Sequence, residues 1–221
     1  MDTLEKNVAA LRQRLDEAAK GRPYTLLAAT KTQPAETINR LVDLGIYDYG
    51  ENRVQEWMEK CEKIDPRLRY HHIGRLQRNK IKYIIRKIGL VHSVDQVALA
   101  RALDAAAEAV DRRVDVLLQV NPVGEEQKGG VALSELSRLY EACLTMRFIR
   151  VRGLMCMAPL TEDQGLVREC FSKARRAFDE LRCVDERIDT LSMGMSGDAA
   201  IALEEGSTMV RIGTALFGKR N

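Results

Sequence analysis

Eight short apolar or β-branched runs punctuate the chain, at residues 25–29, 46–49, 69–73, 90–92, 114–120, 148–154, 190–192 and 208–212. Between them the spacing of apolar residues changes to three and four. Leu133, Leu136, Leu139, Tyr140 and Cys143 recur in that way, as do Val167, Cys170, Phe171, Ala174 and Phe178. Short continuous runs suit strands covered on both sides, and three-to-four spacing suits helices with one buried face. Local signals agree. Pro34 stands where a first helical turn needs no N–H, and Gly45 where a helix end favours glycine. Ser93 and Gln96 have the spacing of a capping box ahead of ALARALDAAAEAV. Before the first run, MDTLEKNVAALRQRLDEAAK reads as an amphipathic helix.

Strand and helix alternate eight times, which predicts a parallel sheet with helices outside it. Eight units in 221 residues fit the lower end of the (β/α)8, or TIM, barrel range. A doubly wound open sheet ranks second, because its Gly-rich first turn is missing after the first strand. No Pro/Gly/Ser-rich linker divides the sequence. The expectation is a single α/β barrel domain over residues 1–221, with an additional N-terminal helix packed against it.

Composition narrows the function classes. Against 35 basic and 32 acidic residues the net charge of +3 is small, which gives no global case for nucleic acid or a membrane surface. The five cysteines form no CxxC pair and there are three histidines, so zinc spacing is absent. They read as free thiols of a reducing compartment. No signal-peptide core and no run of ~18 apolar residues occurs. These features predict a cytoplasmic protein.

In a barrel, ligands sit at the carboxyl ends of the strands. Lys31 ends the first run, Asn52 follows the second, Gly74 the third and Asn121 the fifth; Ser196 follows the seventh, and Arg211, Gly213 and Thr214 close the eighth. The loops after strands seven and eight are the usual phosphate site of this fold, and small residues there let backbone N–H groups approach an anion. On the residues alone two roles stay open for Lys31. It is a counter-charge to phosphate, or it is an amine nucleophile that forms a Schiff base. The basic stretch 73–89, with Arg75, Arg78, Lys80, Lys82, Arg86 and Lys87 around one Tyr83, suits a solvated helix face better than RNA readout.

ATKTQP, GENRVQE, HHIGRLQRNK, NPVGEEQKGG, RGLMCMAP, LSMGMSGD and STMVRIGTALFG stand in this order. Together they resemble the YggS/PROSC-type family, the pyridoxal phosphate homeostasis proteins, over nearly the whole chain. The resemblance implies a barrel like the N-terminal domain of alanine racemase and the fold-type III enzymes that use pyridoxal 5′-phosphate (PLP). It implies that Lys31 holds PLP as a Schiff base. Ser196, with the backbone of Gly213 and Thr214, would hold the phosphate, and Arg211 would face the pyridine nitrogen. Asn52, Ile73 and Gly74 would line the ring's pocket. His72 stands where the family's H-F-I-G carries phenylalanine, beside the expected cofactor wall. In NPVGEEQKGG, Pro122, Gln127 and Gly129 depart from the family's small polar residues, whereas Asn121, Glu125, Lys128 and Gly130 match.

Two functions then compete. A carrier would bind PLP, buffer it and pass it to apo-enzymes, with little or no catalysis. A racemase of low activity would need a second acid/base across the substrate carbon, which in alanine-racemase-type enzymes is a tyrosine of an additional domain. No such domain is expected before Asn221, and of the six tyrosines only Tyr49 and Tyr70 fall near strand ends. An arginine at the ring nitrogen also weakens the electron sink. The carrier is the expectation: a monomer with PLP as ligand, apo-PLP enzymes as transient recipients, and no nucleic acid or membrane partner. A phosphate-sugar barrel enzyme using Lys31 as an aldolase-like base ranks third.

Overall fold

The computed structural model describes residues 2–125 and 129–218. Eight parallel strands close on themselves in chain order. They are β1 (Thr25–Ala29), β2 (Asp48–Glu51), β3 (Arg69–His72), β4 (Ile88–Val94), β5 (Val114–Gln119), β6 (Ile149–Met155), β7 (Thr190–Ser192) and β8 (Met209–Ile212). Pairing of β8 with β1 makes the sheet a barrel and excludes the open doubly wound alternative. Around it run α1 (Thr3–Ala19), α2 (Ala35–Asp43), α3 (Val54–Lys60), α4 (Ile81–Ile84), α5 (Val97–Glu108), α6 (Leu136–Leu144), α7 (Gln164–Val184), α8 (Ala199–Glu204) and α9 (Thr214–Phe217).

The alternation of side chains along each strand sorts the core into two layers. Outward residues such as Ala28, Val91, Val116, Leu154 and Ile212 pack under the helices. Inward residues Leu27, Leu90, Leu117, Met155 and Met209 form a separate plug inside the barrel, with Ile73 and Met157 against it. Helix α1 starts with a reciprocal Asp2–Glu5 capping box and buries Leu4, Val8, Leu11 and Leu15. It packs on α8 and α9, where Asn7 donates to the Leu216 carbonyl at 2.8 Å and Arg14 to that of Ser196 at 3.2 Å.

Two expectations shift. The second strand begins at Asp48, opposite Leu27, because Gly45 takes φ 67 and the Ile46 N–H returns to the Leu41 carbonyl. Ile46 is buried by that turn and not by the sheet. The Ser93–Gln96 capping box does not form. Strand β4 runs two residues past its apolar run, so Ser93 lies inside it and donates to the Gly74 carbonyl at 2.6 Å. Gln96 is the N-cap residue of α5 but makes no side-chain cap bond.

Among the described residues no disulfide joins Cys61, Cys143, Cys156, Cys170 or Cys183. Among the described residues no His/Cys/Asp/Glu cluster could hold a metal ion, and no helix is long and apolar enough to cross a membrane.

Candidate functional site

The carboxyl ends of β1, β7 and β8 surround a cavity of about 210 Å³ lined by Lys31, Ser196, Gly197, Arg211, Gly213, Thr214 and Phe217, among others. Lys31, Ser196, Arg211, Gly213 and Thr214, the residues expected to form one site, all line this cavity. Asn52 lines a neighbouring cavity of about 1030 Å³ with His72, Arg75, Arg78, Lys80 and Asp95. Ile73 packs against the barrel's apolar plug. Gly74 lies so close to the end of β2 that a Cβ would stand 2.3 Å from the Asn52 carbonyl oxygen. Glycine is what lets these two strand ends close up.

Helices α8 and α9 have six and four residues, too short for much macrodipole, so the local N–H groups set the potential. Among the described residues no acceptor takes the N–H of Ser196, Gly197, Gly213 or Thr214. Ser196 Oγ accepts the Ala215 N–H at 3.2 Å, which ties the two turns together. Adjacent unengaged N–H groups make an anion-binding concavity.

Lys31 is half-buried, and the next residue, Thr32, takes φ 68. A β-branched residue rarely enters this left-handed region, and such strain costs about 1–3 kcal/mol. The turn is held from outside the barrel wall. Glu51, fully buried at the end of β2, pairs with Lys60 Nζ at 2.7 Å and accepts from Thr30 Oγ1 at 2.5 Å. Lys60 also donates to the carbonyls of Thr30 at 3.2 Å and Gln33 at 3.0 Å, on either side of Lys31. Glu56 accepts the Thr32 N–H. Burial pushes the Glu51 carboxyl up, against Lys60 and Thr30.

Arg211 is buried in the cavity floor. Its Nη1 donates to the Ser192 carbonyl at 2.8 Å and to Ser192 Oγ at 2.7 Å, and Nη2 donates to the Cys156 carbonyl at 3.0 Å. Burial draws its pKa below the ordinary arginine value.

His72 belongs to the outer layer and not to the wall of the Lys31 cavity. Its Nδ1 lies 3.0 Å from the Tyr70 hydroxyl. Tyr70 stacks on Trp57 at 4.5 Å, and Trp57 Nε1 donates to the Tyr49 hydroxyl at 3.0 Å. Burial pushes His72 down to about 4. The same cluster keeps Tyr49 and Tyr70 away from the Lys31 cavity, whose described lining contains no tyrosine. The basic stretch is largely exposed, as a solvated face would be, and its Arg75, Arg78 and Lys80 also line the larger cavity. Gln127 and Lys128 lie outside the described residues. Glu51, Glu56 and Lys60 were not singled out from the sequence. A glutamate ending a strand run in YDYGE, with Glu56 and Lys60 four residues apart, was the available signal.

Barrel and rim define the alanine racemase N-terminal-domain class, whose family model matches residues 1–221. Alanine racemase of Clostridium difficile superposes with a TM-score of 0.80 over 97% of this chain and 57% of that one, and at 14% identity the likeness is one of fold alone. The pyridoxal phosphate homeostasis protein of Aquifex aeolicus is 42% identical over 222 residues, covering 99% of this chain and 97% of its own. That of Escherichia coli K12 is 38% identical over 100% and 98%. PipY of Synechococcus elongatus PCC7942, solved with PLP bound, is 33% identical with a TM-score of 0.87, over 98% and 100%. The chain belongs to the family of pyridoxal phosphate homeostasis proteins.

Proposed function

We propose that this chain is a PLP-binding protein of PLP homeostasis that holds the cofactor on Lys31 and hands it to apo-enzymes, with little or no catalysis. One observation carries the reading: an amine, a guanidinium and four unengaged N–H groups converge on one cavity at the strand ends. The donor set fits the group. Ser196 and the N–H groups of Gly197, Gly213 and Thr214 would hold the phosphate. Lys31 would supply the amine that tethers the cofactor covalently. Arg211 would face the pyridine nitrogen, with Asn52, Ile73 and Gly74 shaping the side towards β2 and β3. When bound, PLP supplies an aldehyde and an electron sink, and an arginine that keeps its protons leaves the ring nitrogen unprotonated and the sink weak.

Efficient racemisation has less support. Besides Lys31, no Tyr, His, Cys, Asp or Glu lines the cavity among the described residues, whereas racemisation needs a second acid/base. A monomeric, cytoplasmic barrel unit with transient enzyme partners completes the proposal.

The test mixes PLP-loaded protein, freed of excess cofactor, with a PLP-requiring apo-enzyme, and separately follows racemisation of amino acids. Activation of the recipient with racemase turnover near background is the expected result. Steady turnover of one amino acid at ~1 s⁻¹ or more, an ordinary enzyme rate, would replace the carrier by an enzyme.

A further inference from the structure

Polar side chains cross the barrel interior beside its apolar plug. Arg211 Nη1 lies 2.7 Å from Ser192 Oγ, and Ser192 Oγ lies 3.1 Å from His92 Nδ1. His92 Nε2 is 3.0 Å from His71 Nδ1, and His71 Nε2 is 2.9 Å from Asp48 Oδ1. Ser192, His92 and His71 are all buried. Asp48 stands at the strand-start end, paired at 2.8 Å with Arg69, whose side chain is 67% exposed.

With neutral imidazoles these contacts admit one arrangement. A guanidinium only donates and a carboxylate only accepts. His71 therefore gives its Nε2 proton to Asp48 and accepts at Nδ1 from His92 Nε2–H. His92 accepts at Nδ1 from the Ser192 hydroxyl, whose oxygen accepts from Arg211. Every link points the same way. Burial raises the Asp48 carboxyl, but His71 and Arg69 outweigh it and leave it below the usual carboxylate range. Burial above all holds His92 well below the ordinary histidine value.

We propose that Ser192, His92 and His71 are positioning residues for Arg211: a one-way hydrogen-bond line, ending on the Asp48 carboxylate, fixes the guanidinium plane that the cavity presents. The proposal rests on the reading of the cavity as a PLP site. Among the described residues no carboxylate touches Arg211, and Asp198 acts on it only at longer range. The line answers this by polarising Ser192 Oγ through linked hydrogen bonds, which strengthen one another in a low dielectric.

The chain has three histidines, so single substitutions assign the imidazole ¹⁵N spectrum of the full-length protein. Without PLP and near neutral pH, His92 should be neutral with its proton on Nε2, and His71 should accept that proton's hydrogen bond at Nδ1. Ser192→Ala should shift the His71 resonances, two links away, and leave those of His72 unmoved. It should also weaken PLP binding about tenfold, the weight of one hydrogen bond to a charged group, and displace the absorption band of the bound cofactor. A His92 protonated on Nδ1 or on both nitrogens overturns the line whatever the variants do. Unchanged affinity and band in Ser192→Ala overturn the positioning role. A wild-type chain with both tautomers that binds no PLP overturns the reading of the cavity, and with it the cofactor end of the proposal, while the line itself stands.

Discussion

Two buried polar clusters hold the two basic side chains of the cavity, Lys31 and Arg211, and they do so by different physics. Outside the barrel wall, the Lys31 turn hangs on an ion pair, Glu51–Lys60, whose ammonium also engages the Thr30 and Gln33 carbonyls. Inside, Arg211 rests on a serine hydroxyl and two backbone carbonyls, with two histidines behind them. The difference follows from what each cluster must fix. A strained turn presents main-chain carbonyls, which need a compact donor of three N–H groups, and a lysine ammonium is one. A guanidinium is already the cation. It needs fixed acceptors, and the Asp48 charge stays three side chains away.

Substitution separates the two clusters. Lys60→Ala leaves Glu51 buried without its cation and should cost about 3–5 kcal/mol in urea unfolding. Glu51→Gln combined with Lys60→Met should recover most of that loss. If Lys60→Ala costs under about 1 kcal/mol, the brace is not holding the turn.

His72 supplies a control outside both clusters. Its native value is about 4, against about 6.5 unfolded. Between these values the unfolded chain binds a proton that the native chain does not, so stability falls as pH falls through the window. The loss is roughly 3 kcal/mol in full and nothing above about pH 6.5. His92 adds to the same slope in the same direction. His72→Phe should flatten part of the pH dependence of the urea midpoint, and an unchanged slope would remove His72 from the account.

Ser192→Ala breaks only hydrogen bonds and should cost about 1–3 kcal/mol, less than Lys60→Ala. The reverse ranking would invert the comparison. Thr32→Gly should have the smallest effect, within about 1 kcal/mol, because relief of the left-handed strain offsets the freedom gained by the unfolded chain. A large loss of thermal stability in that variant would show that the threonine side chain, and not the turn, matters.

Much of this was legible in the sequence, for particular reasons. Strand spacing placed Lys31, Ser196, Gly213 and Thr214 on one rim without knowledge of any contact, because carboxyl ends of barrel strands share a face. The braces were not legible. Glu51 and Lys60 belong to different elements, and nothing in spacing pairs them. His71 and His72 are sequence neighbours, yet one faces the barrel interior and the other the helices, and only the register separates them. The Ser93 error has the same origin, since a capping box and a strand end can carry the same two residues.

The most direct measurement is borohydride treatment of the protein with PLP, followed by peptide mass mapping. The account predicts one reduced adduct, on the peptide that contains Lys31, absent in Lys31→Ala while urea stability stays within about 0.5 kcal/mol. An adduct on another lysine, such as Lys80 in the larger cavity, or no adduct at all, would contradict it.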